Sequence, residues 1–585
     1  MSFKIDVLGQ VRFGNELEDI LKLKGITDIN SFLNPTIENT ESELQFDNIE
    51  TARDILVNHI SNNSVIDLLV DCDCDGYTSA ANIYQYIKRI KPSIEIRCFI
   101  HKGKVHGLKD VVDSMLLDNA KLVIIPDAGS GDVDECKKLK ESGKEVIILD
   151  HHNIRNNDNT IPNNSAVVVN NQYSSRVTDK AMTGVGITYK FTKLLDKYYG
   201  FDYADDYLDL VALGMIGDRA DTLNLQTRYL ILKGLEQIKS KTNKNELISA
   251  FVDAQMYSMN NKVTINGLGF YVCPLINSMI RLGEYEDKCY MFEALCNSDK
   301  VLERKVKGRG MVNMTIQEYI LKACQSTNRK QKKITEESAN ILSEEIKKYG
   351  MDKLPILVCN ARDDVDSNST GLIANRLADQ YQRPCLLMRR KGDICKGSGR
   401  GCDKCEILDF NKWCKDTGLF NMVDGHSGAF GCEISFENTN KLFQLLSTMD
   451  RIDEPTYHVY NIYDADKLHD QIIKNIAKYD YIWGNTVQEP IFYIKNIPCN
   501  KYNLNLIGSK QNKIEFTYHN IKFTKQTKGS SLAALYKEIL NVGENIEFDV
   551  VGRFSIDMKC SKTPQVLVDD WIFYKSDKIQ GFGFC

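Results

Sequence analysis

The sequence predicts an α/β protein with a parallel-sheet unit, a long connecting helix, a second α/β unit and a C-terminal β-barrel. Three observations carry this expectation. Short β-branched runs alternate with helical-period segments between Ser64 and Asn170, the pattern of a parallel α/β sheet. A charged, proline-free stretch follows from about Thr315 to Gly350. From about Tyr457 the periodicity changes to short alternating strands.

The first unit should hold strands at Val65–Val70, Ile94–Ile100, Leu122–Ile125, Glu145–Leu149 and Ala166–Val169. Helices are expected at Thr78–Ile90 and Asp132–Glu141, and mainly helix from Thr183 to about Ser240. The stretch from Thr315 to Gly350 reads as one long helix or as two ordinary surface helices. A second α/β unit follows, with strands near Pro355–Cys359 and Pro384–Met388 around a helix at Gly371–Tyr381. The alternation in KIEFTYHNIKFTKQ and ENIEFDVVGRFSI suggests a barrel of the OB type, a pattern that another small β-domain would share. With 585 residues and roughly 150 per domain, about four units are expected. They fall at 1–310, 311–350, 351–452 and 453–585.

Composition narrows the class. Hydrophobic residues make up 43% and charged residues 26%, so general disorder is excluded. The net charge of −5 excludes a uniformly basic coat. A partner that is a polyanion would need lysines and arginines gathered in one cleft, with metal ions offsetting phosphate charge. The 18 cysteines are scattered rather than spaced as a disulfide scaffold, so reduced thiols in the cytosol are expected. The opening residues lack a basic region followed by an apolar one. No apolar run reaches the ~20 residues that span a bilayer. A soluble intracellular protein without a membrane partner is therefore expected. Cys395, Cys402, Cys405 and Cys414 include one CxxC; either a zinc site or ordinary thiols would fit, and the irregular spacings make thiols the default.

Carboxylates recur where the predicted strands end. Val65–Val70 runs into Asp71-Cys-Asp73-Cys-Asp75-Gly76, Leu122–Ile125 into Pro126-Asp127-Ala-Gly129, and Glu145–Leu149 into Asp150-His151-His152. Functional crevices of open parallel sheets lie beyond the carboxyl ends of the strands. Asp71, Asp73 and Asp75 would share one face if the extended conformation continued. Asp218, closing the helical run LDLVALGMIGD, is the natural further contributor. A single aspartate after a strand is usually a cap. Several together repel one another unless cations intervene. Oxygen donors with imidazole suit Mn²⁺ or Mg²⁺, and a paired-metal site for phosphoester hydrolysis follows.

At these residues the sequence resembles the DHH phosphoesterase superfamily, and within it the RecJ single-stranded-DNA exonucleases. Asp71 to Ser79 resembles the first motif, Asp127-Ala-Gly129 the second, Asp150-His151-His152 the third and Leu210 to Asp218 the fourth. Gly25 to Pro35 is similar to the RecJ N-terminal region. Ser369-Thr-Gly371-Leu-Ile-Ala-Asn-Arg376-Leu, Lys396-Gly-Ser398-Gly-Arg400 and Gly425-His426 to Gly431 resemble the accessory DHHA1 domain, and Gly484 to Phe492 the opening of the RecJ OB domain.

The resemblance implies that Asp73, Asp75, Asp127, His151 and Asp218 hold two divalent ions, Mn²⁺ or Mg²⁺, with Asp127 as bridge. It implies Asp71 as an extra ligand and His152 as a phosphate contact or proton donor. Arg376, Ser398, Arg400 and His426 would grip phosphate near the terminal nucleotide. The implied activity is 5′-to-3′ degradation of single-stranded DNA to 5′-mononucleotides, in recombination, repair or replication. A helicase and a single-strand-binding protein are implied as partners of a monomer. Other branches of the superfamily would make it an oligoribonuclease, a cyclic-dinucleotide phosphodiesterase or a non-catalytic scaffold. Three segments depart from the family pattern: Asp424 replaces a glycine before His426, Phe99–Gly107 lacks an expected arginine that His101, Lys102 or Lys104 could replace, and Arg219-Ala-Asp-Thr-Leu is unusual.

Overall fold

Five runs rich in valine, isoleucine and leucine form the strands that the periodicity predicts: β1 (Ile66–Val70), β2 (Ile96–Ile100), β3 (Leu122–Pro126), β4 (Glu145–Asp150) and β5 (Val167–Asn170). The structure is a computed structural model describing residues 3–576, except 154–163, 307, 363–364, 366, 406, 451–453, 485, 528–530 and 560–561. Asn485, in the segment likened to the OB opening, lies outside the described residues.

All pairings in this sheet are parallel and its order is β2-β1-β3-β4-β5. Strands β1 and β3 are buried along their whole length, as helices on both faces require. The chain leaves β1 to one side for β2 and then returns to the other side for β3. That reversal makes the β1/β3 boundary the topological switch point, where such sheets bind ligands. Helix α1 (Cys74–Ile90) leaves β1 there, and α2 (Gly184–Tyr199) and α3 (Leu208–Gly217) pack onto it.

The charged stretch is one helix, α4 (Ile316–Lys348), about 50 Å long at 1.5 Å per residue. Thr315 caps it by accepting from Glu318 N, and Gly350 ends it in the left-handed region. Its first half buries Ile316, Ile320 and Cys324 in the core of the first unit. Its second half buries Ala339, Leu342 and Ile346 in the next unit, against Ile373 and Leu377. Anchoring both ends in separate cores explains why a single helix forms rather than two.

That next unit has strands β6 (Leu357–Asn360), β7 (Cys385–Lys391), β8 (Ile394–Arg400), β9 (Phe420–His426) and β10 (Ala429–Ser435), in the order β9-β10-β8-β7-β6. The C-terminal strands are β11 (Phe492–Asn500), β12 (Lys513–Tyr518), β13 (Ile521–Gln526), β14 (Asn545–Asp557) and β15 (Thr563–Lys575). β13 pairs in parallel with β15, while β11–β14, β14–β15 and β12–β13 are antiparallel. β12 curls back against β11, and helix Ala533–Val542 separates β13 from β14. This is the OB arrangement, filled by Phe492, Phe516, Phe523, Phe548 and Trp571.

The N-terminal segment, grouped by sequence with the first unit, packs on the barrel unit. Strand Lys4–Val7 pairs in parallel with Thr456–Val459. Ile20, Leu21 and Phe32 join the barrel's hydrophobic core. Buried Arg228 ties the units together, its guanidinium 3.6 Å over the Phe32 ring and donating to Phe32 O and Ile482 O. No helix among the described residues is long and apolar enough to cross a membrane.

Candidate metal centre

The strand ends at Val70 and a helix begins at Cys74, so the extended conformation that an alternating Asp71-Asp73-Asp75 face would need does not reach Asp75. Asp73 instead caps α1, accepting from Gly76 N at 3.0 Å, because a short carboxylate satisfies a free amide of the first turn. Asp75 then sits on that turn, buried, with Oδ1 accepting from Thr183 Oγ1 at 3.0 Å and Val185 N at 3.2 Å. The three aspartates still approach the switch point, by turning rather than by alternating.

Asp127 follows β3 with φ +65°, a left-handed conformation that non-glycine residues adopt at a cost of about 1–2 kcal/mol. Its amide donates to Leu149 O at 2.8 Å, which aims the buried carboxylate back across the sheet end. Two glycines let helices press against these carboxylates. A Cβ on Gly184, at the start of α2, would fall 2.4 Å from Asp127 Oδ1, and one on Gly214 of α3 would fall 2.6 Å from Asp75 Oδ1.

Asp150 organises the imidazoles. Its Oδ1 accepts from His151 N (2.7 Å), His152 N (3.1 Å) and His152 Nδ1 (2.8 Å), and its Oδ2 accepts from Ser130 N (3.1 Å). Although burial opposes ionisation, these donors and the His152 charge hold Asp150 far below the ordinary carboxylate range. His152 answers in kind: burial works against its charge, but Asp150 outweighs it and raises the imidazole to about 9. His151 goes the other way. Burial, then the His152 charge, lower it to about 4, so it is neutral at physiological pH.

The remaining polar atoms do not satisfy one another. His151 Nε2 lies 3.2 Å from Asp127 Oδ1 and 3.7 Å from Asp218 Oδ2. His151 Nε2, Asp127 Oδ1 and Asp75 Oδ2 are buried without a hydrogen-bond partner. Asp218 caps the C-terminus of α3, where the helix dipole disfavours an anion. Burial and mutual repulsion raise Asp75 to about 6 and push Asp127 and Asp218 well above the usual range. Donor atoms of Asp75, His151 and Asp218 lie within 4.8 Å of one another, as do those of Asp71, Asp73 and Asp127. Orphaned oxygens and a neutral imidazole around a common space fit hard divalent cations, which would reverse the repulsion. Asp71 is committed elsewhere as well, accepting from Gly107 N at 2.9 Å and pairing with His106 Nδ1 at 2.6 Å.

Across from the carboxylates stands a cationic group. Arg400 ends β8 against Gly371, where a Cβ would fall 2.3 Å from its Nη2. Burial, then the charges of Arg281 and Arg219, lower Arg400. Three guanidiniums within electrostatic reach of one another, with Asp73 acting on Arg281, suit a phosphate group. Ser398 Oγ hydrogen-bonds Thr370 Oγ1 at 2.9 Å nearby, and exposed His426 lies within electrostatic reach of His151. Arg376 turns instead to Glu336 on α4, Nη2 to Oε1 3.3 Å. Of the loop residues weighed as arginine substitutes, Lys104 feels Arg281, Asp73 and Arg400, Lys102 lies over the Tyr285 ring, and buried His101 pairs with Asp110. Sequence reading missed His106, Asp150 and Arg281. The loose loop pattern signalled the first and the DHH triplet the second, whereas Arg281 has no local signal. Among the described residues, Cys395, Cys402, Cys405 and Cys414 gather into no metal-binding cluster.

Comparisons with known proteins bear on the family and the fold. The DHH family, N-terminal domain, matches residues 66–215. The chain is 32% identical over 94% of its length, and 94% of the relative's, to a prophage-derived protein of Bacillus subtilis named as a single-strand DNA-specific exonuclease, YorK. It is 23% identical to the single-stranded-DNA-specific exonuclease RecJ of B. subtilis, over 89% of this chain and 63% of that one. The crystal structure of Thermus thermophilus RecJ in complex with Mn²⁺ superposes with a TM-score of 0.71 at 17% identity, covering 99% of this chain and 80% of that one.

Proposed function

Because the chain belongs to the RecJ-like branch of the DHH phosphoesterases, we propose that it degrades single-stranded DNA from the 5′ end by divalent-metal-dependent phosphodiester hydrolysis. The observation that carries the chemistry is the set of buried, partnerless donors formed by Asp75, Asp127 and His151. Asp73, Asp75, Asp127, His151 and Asp218, with Asp71 as a further donor, would hold two divalent ions, Mn²⁺ or Mg²⁺. When bound, the ions supply a lowered water pKa and neutralisation of charge on the reacting phosphate.

The protein's own groups do the rest. His152, protonated against Asp150, offers a proton or a charged hydrogen bond to the phosphate or leaving oxygen. Arg400, Ser398 and His426 hold the terminal phosphate, joined by Arg281, while Arg376 would have to leave Glu336 to reach it. In this reading residues 1–310 carry hydrolysis, 311–350 set the spacing, 351–452 grip phosphate and 453–585 hold bases further along the strand. Residues 4–33 belong with the last unit. A cytoplasmic monomer fed unwound strands by a helicase and a single-strand-binding protein fits recombination, repair or replication.

The test supplies Mn²⁺ or Mg²⁺ and single-stranded DNA blocked at the 5′ or the 3′ end, with Asp127→Ala alongside. Mononucleotide release that requires the metal, Asp127 and a free 5′ end is expected. Release from a free 3′ end alone would overturn the polarity, and cleavage of dinucleotides alone would overturn the substrate.

A further inference from the structure

A second donor set lies next to the carboxylates, and its chemistry differs from theirs. The Cys72 sulfur, a His106 ring nitrogen and an Asp71 oxygen lie within 4.8 Å of one another. Asp71 and Cys72 are buried, whereas the His106 side chain is 50% exposed and held to Asp71 through Nδ1. Behind Asp71 stands His101, 2% exposed, with Nδ1 2.7 Å from Asp110 Oδ1. Its Nε2 is buried without a hydrogen-bond partner and lies 3.7 Å from Asp71 Oδ1. When Nδ1 carries the proton donated to Asp110, Nε2 presents a lone pair to a carboxylate.

We propose that Asp71, Cys72 and His106 form a site for a borderline divalent cation, Zn²⁺, next to the hard-metal centre and sharing Asp71 with it, with solvent completing the coordination. Zinc takes sulfur, imidazole and carboxylate donors tetrahedrally at about 2.0–2.3 Å, which places them roughly 3.3–3.7 Å apart. The Asp71 Oδ2–His106 Nδ1 contact, a hydrogen bond of 2.6 Å, must open by about 1 Å to reach that spacing, which rotation of the half-exposed His106 ring supplies. Mg²⁺ and Mn²⁺ prefer oxygen and leave a thiol unused, so the two sites sort cations by softness. Ligation releases to solvent both the Cys72 thiol proton and the His106 ring proton held against Asp71, and the metal stays divalent. Because Asp71 also reaches the set formed with Asp73 and Asp127, zinc draws that carboxylate away from the hard-metal centre and inhibits the enzyme.

Co²⁺ is the probe, since a cobalt–thiolate bond gives an intense near-ultraviolet charge-transfer band and oxygen or imidazole ligation does not. The full chain, reduced and saturated with Mg²⁺, is titrated with Co²⁺. One equivalent should develop the band, Zn²⁺ should bleach it, Cys72→Ser should abolish it, and a Cys402→Ser, Cys405→Ser double variant should keep it. A band that survives Cys72→Ser, or none in the wild type, overturns the proposal. Zinc-edge X-ray absorption of the wild-type protein gives a check independent of any variant. One sulfur at about 2.3 Å is expected; two would place zinc on the Cys402–Cys405 turn and none on the carboxylates, and either result refutes it. These readouts use no DNA, so they stand or fall apart from the nuclease reading.

Discussion

Gly184→Ala is the sharpest perturbation of the metal centre that leaves every polar group in place. The new methyl would fall 2.4 Å from Asp127 Oδ1 and 2.5 Å from Asp127 Cβ. Ordinary contact begins near 3.4 Å, so Asp127 or the start of α2 must move by about 1 Å. Asp127 has little room, since its φ is already +65° and its amide is tied to Leu149 O. Moving α2 would instead disturb Thr183 and Val185, which hold Asp75. Overpacking of this kind costs about 1–3 kcal/mol of stability, whereas a 1 Å misplacement of reacting groups costs about 100-fold in rate. Mn²⁺-dependent mononucleotide release should therefore fall roughly 100-fold in kcat, with urea unfolding shifted by no more than about 3 kcal/mol. Gly131→Ala is the control, because nothing lies within 4 Å of its added Cβ, and it should retain full activity. Wild-type kcat in Gly184→Ala would refute the reasoning.

Three further outcomes are expected. Asp127→Asn should raise the thermal midpoint of the metal-free protein, because it relieves repulsion among buried carboxylates, and should lose the midpoint increase that Mn²⁺ gives the wild type; calorimetry with and without chelator checks both signs. Asp67, buried and lifted to about 7 by burial and then by Asp118, which takes the nearer contact to Lys144, binds a proton more tightly folded than unfolded. Its contribution is therefore full below pH ~4 and is lost as pH rises through 7, so Asp67→Asn should flatten the fall of the urea midpoint between pH 5 and 8. Arg400→Lys should raise KM for single-stranded DNA by about 10–100-fold with a smaller change in kcat, since a planar fork is lost while one charge stays; steady-state kinetics separate the two.

Much of the first sheet was legible because its signals are local. Each strand is a short β-branched run; β1, β3 and β4 differ from the expected spans by a single residue at one end, and β5 by one at each end. The acidic residues were legible because they interrupt those runs where the chain must turn. Local reasoning failed at Asp73 and Asp75, where capping and helix entry replaced the extended alternation. It left α4 undecided between one helix and two, since propensity and charge are alike in both. The answer lies in Ala339, Leu342 and Ile346 being buried in a core that the first half of the helix does not touch.

The sequence by itself marked the candidate residues: carboxylates and imidazoles at the carboxyl ends of parallel strands, and glycine-flanked Ser398 and Arg400 far along the chain. Only the tertiary structure decided their company. Packing, not spacing, brought Arg281 and Arg219 to Arg400, placed His106 and His101 around Asp71, and joined Lys4–Val7 to Thr456–Val459. Contacts between distant segments follow from how helices and sheets bury their apolar faces, and a single residue's neighbours in sequence carry no record of that.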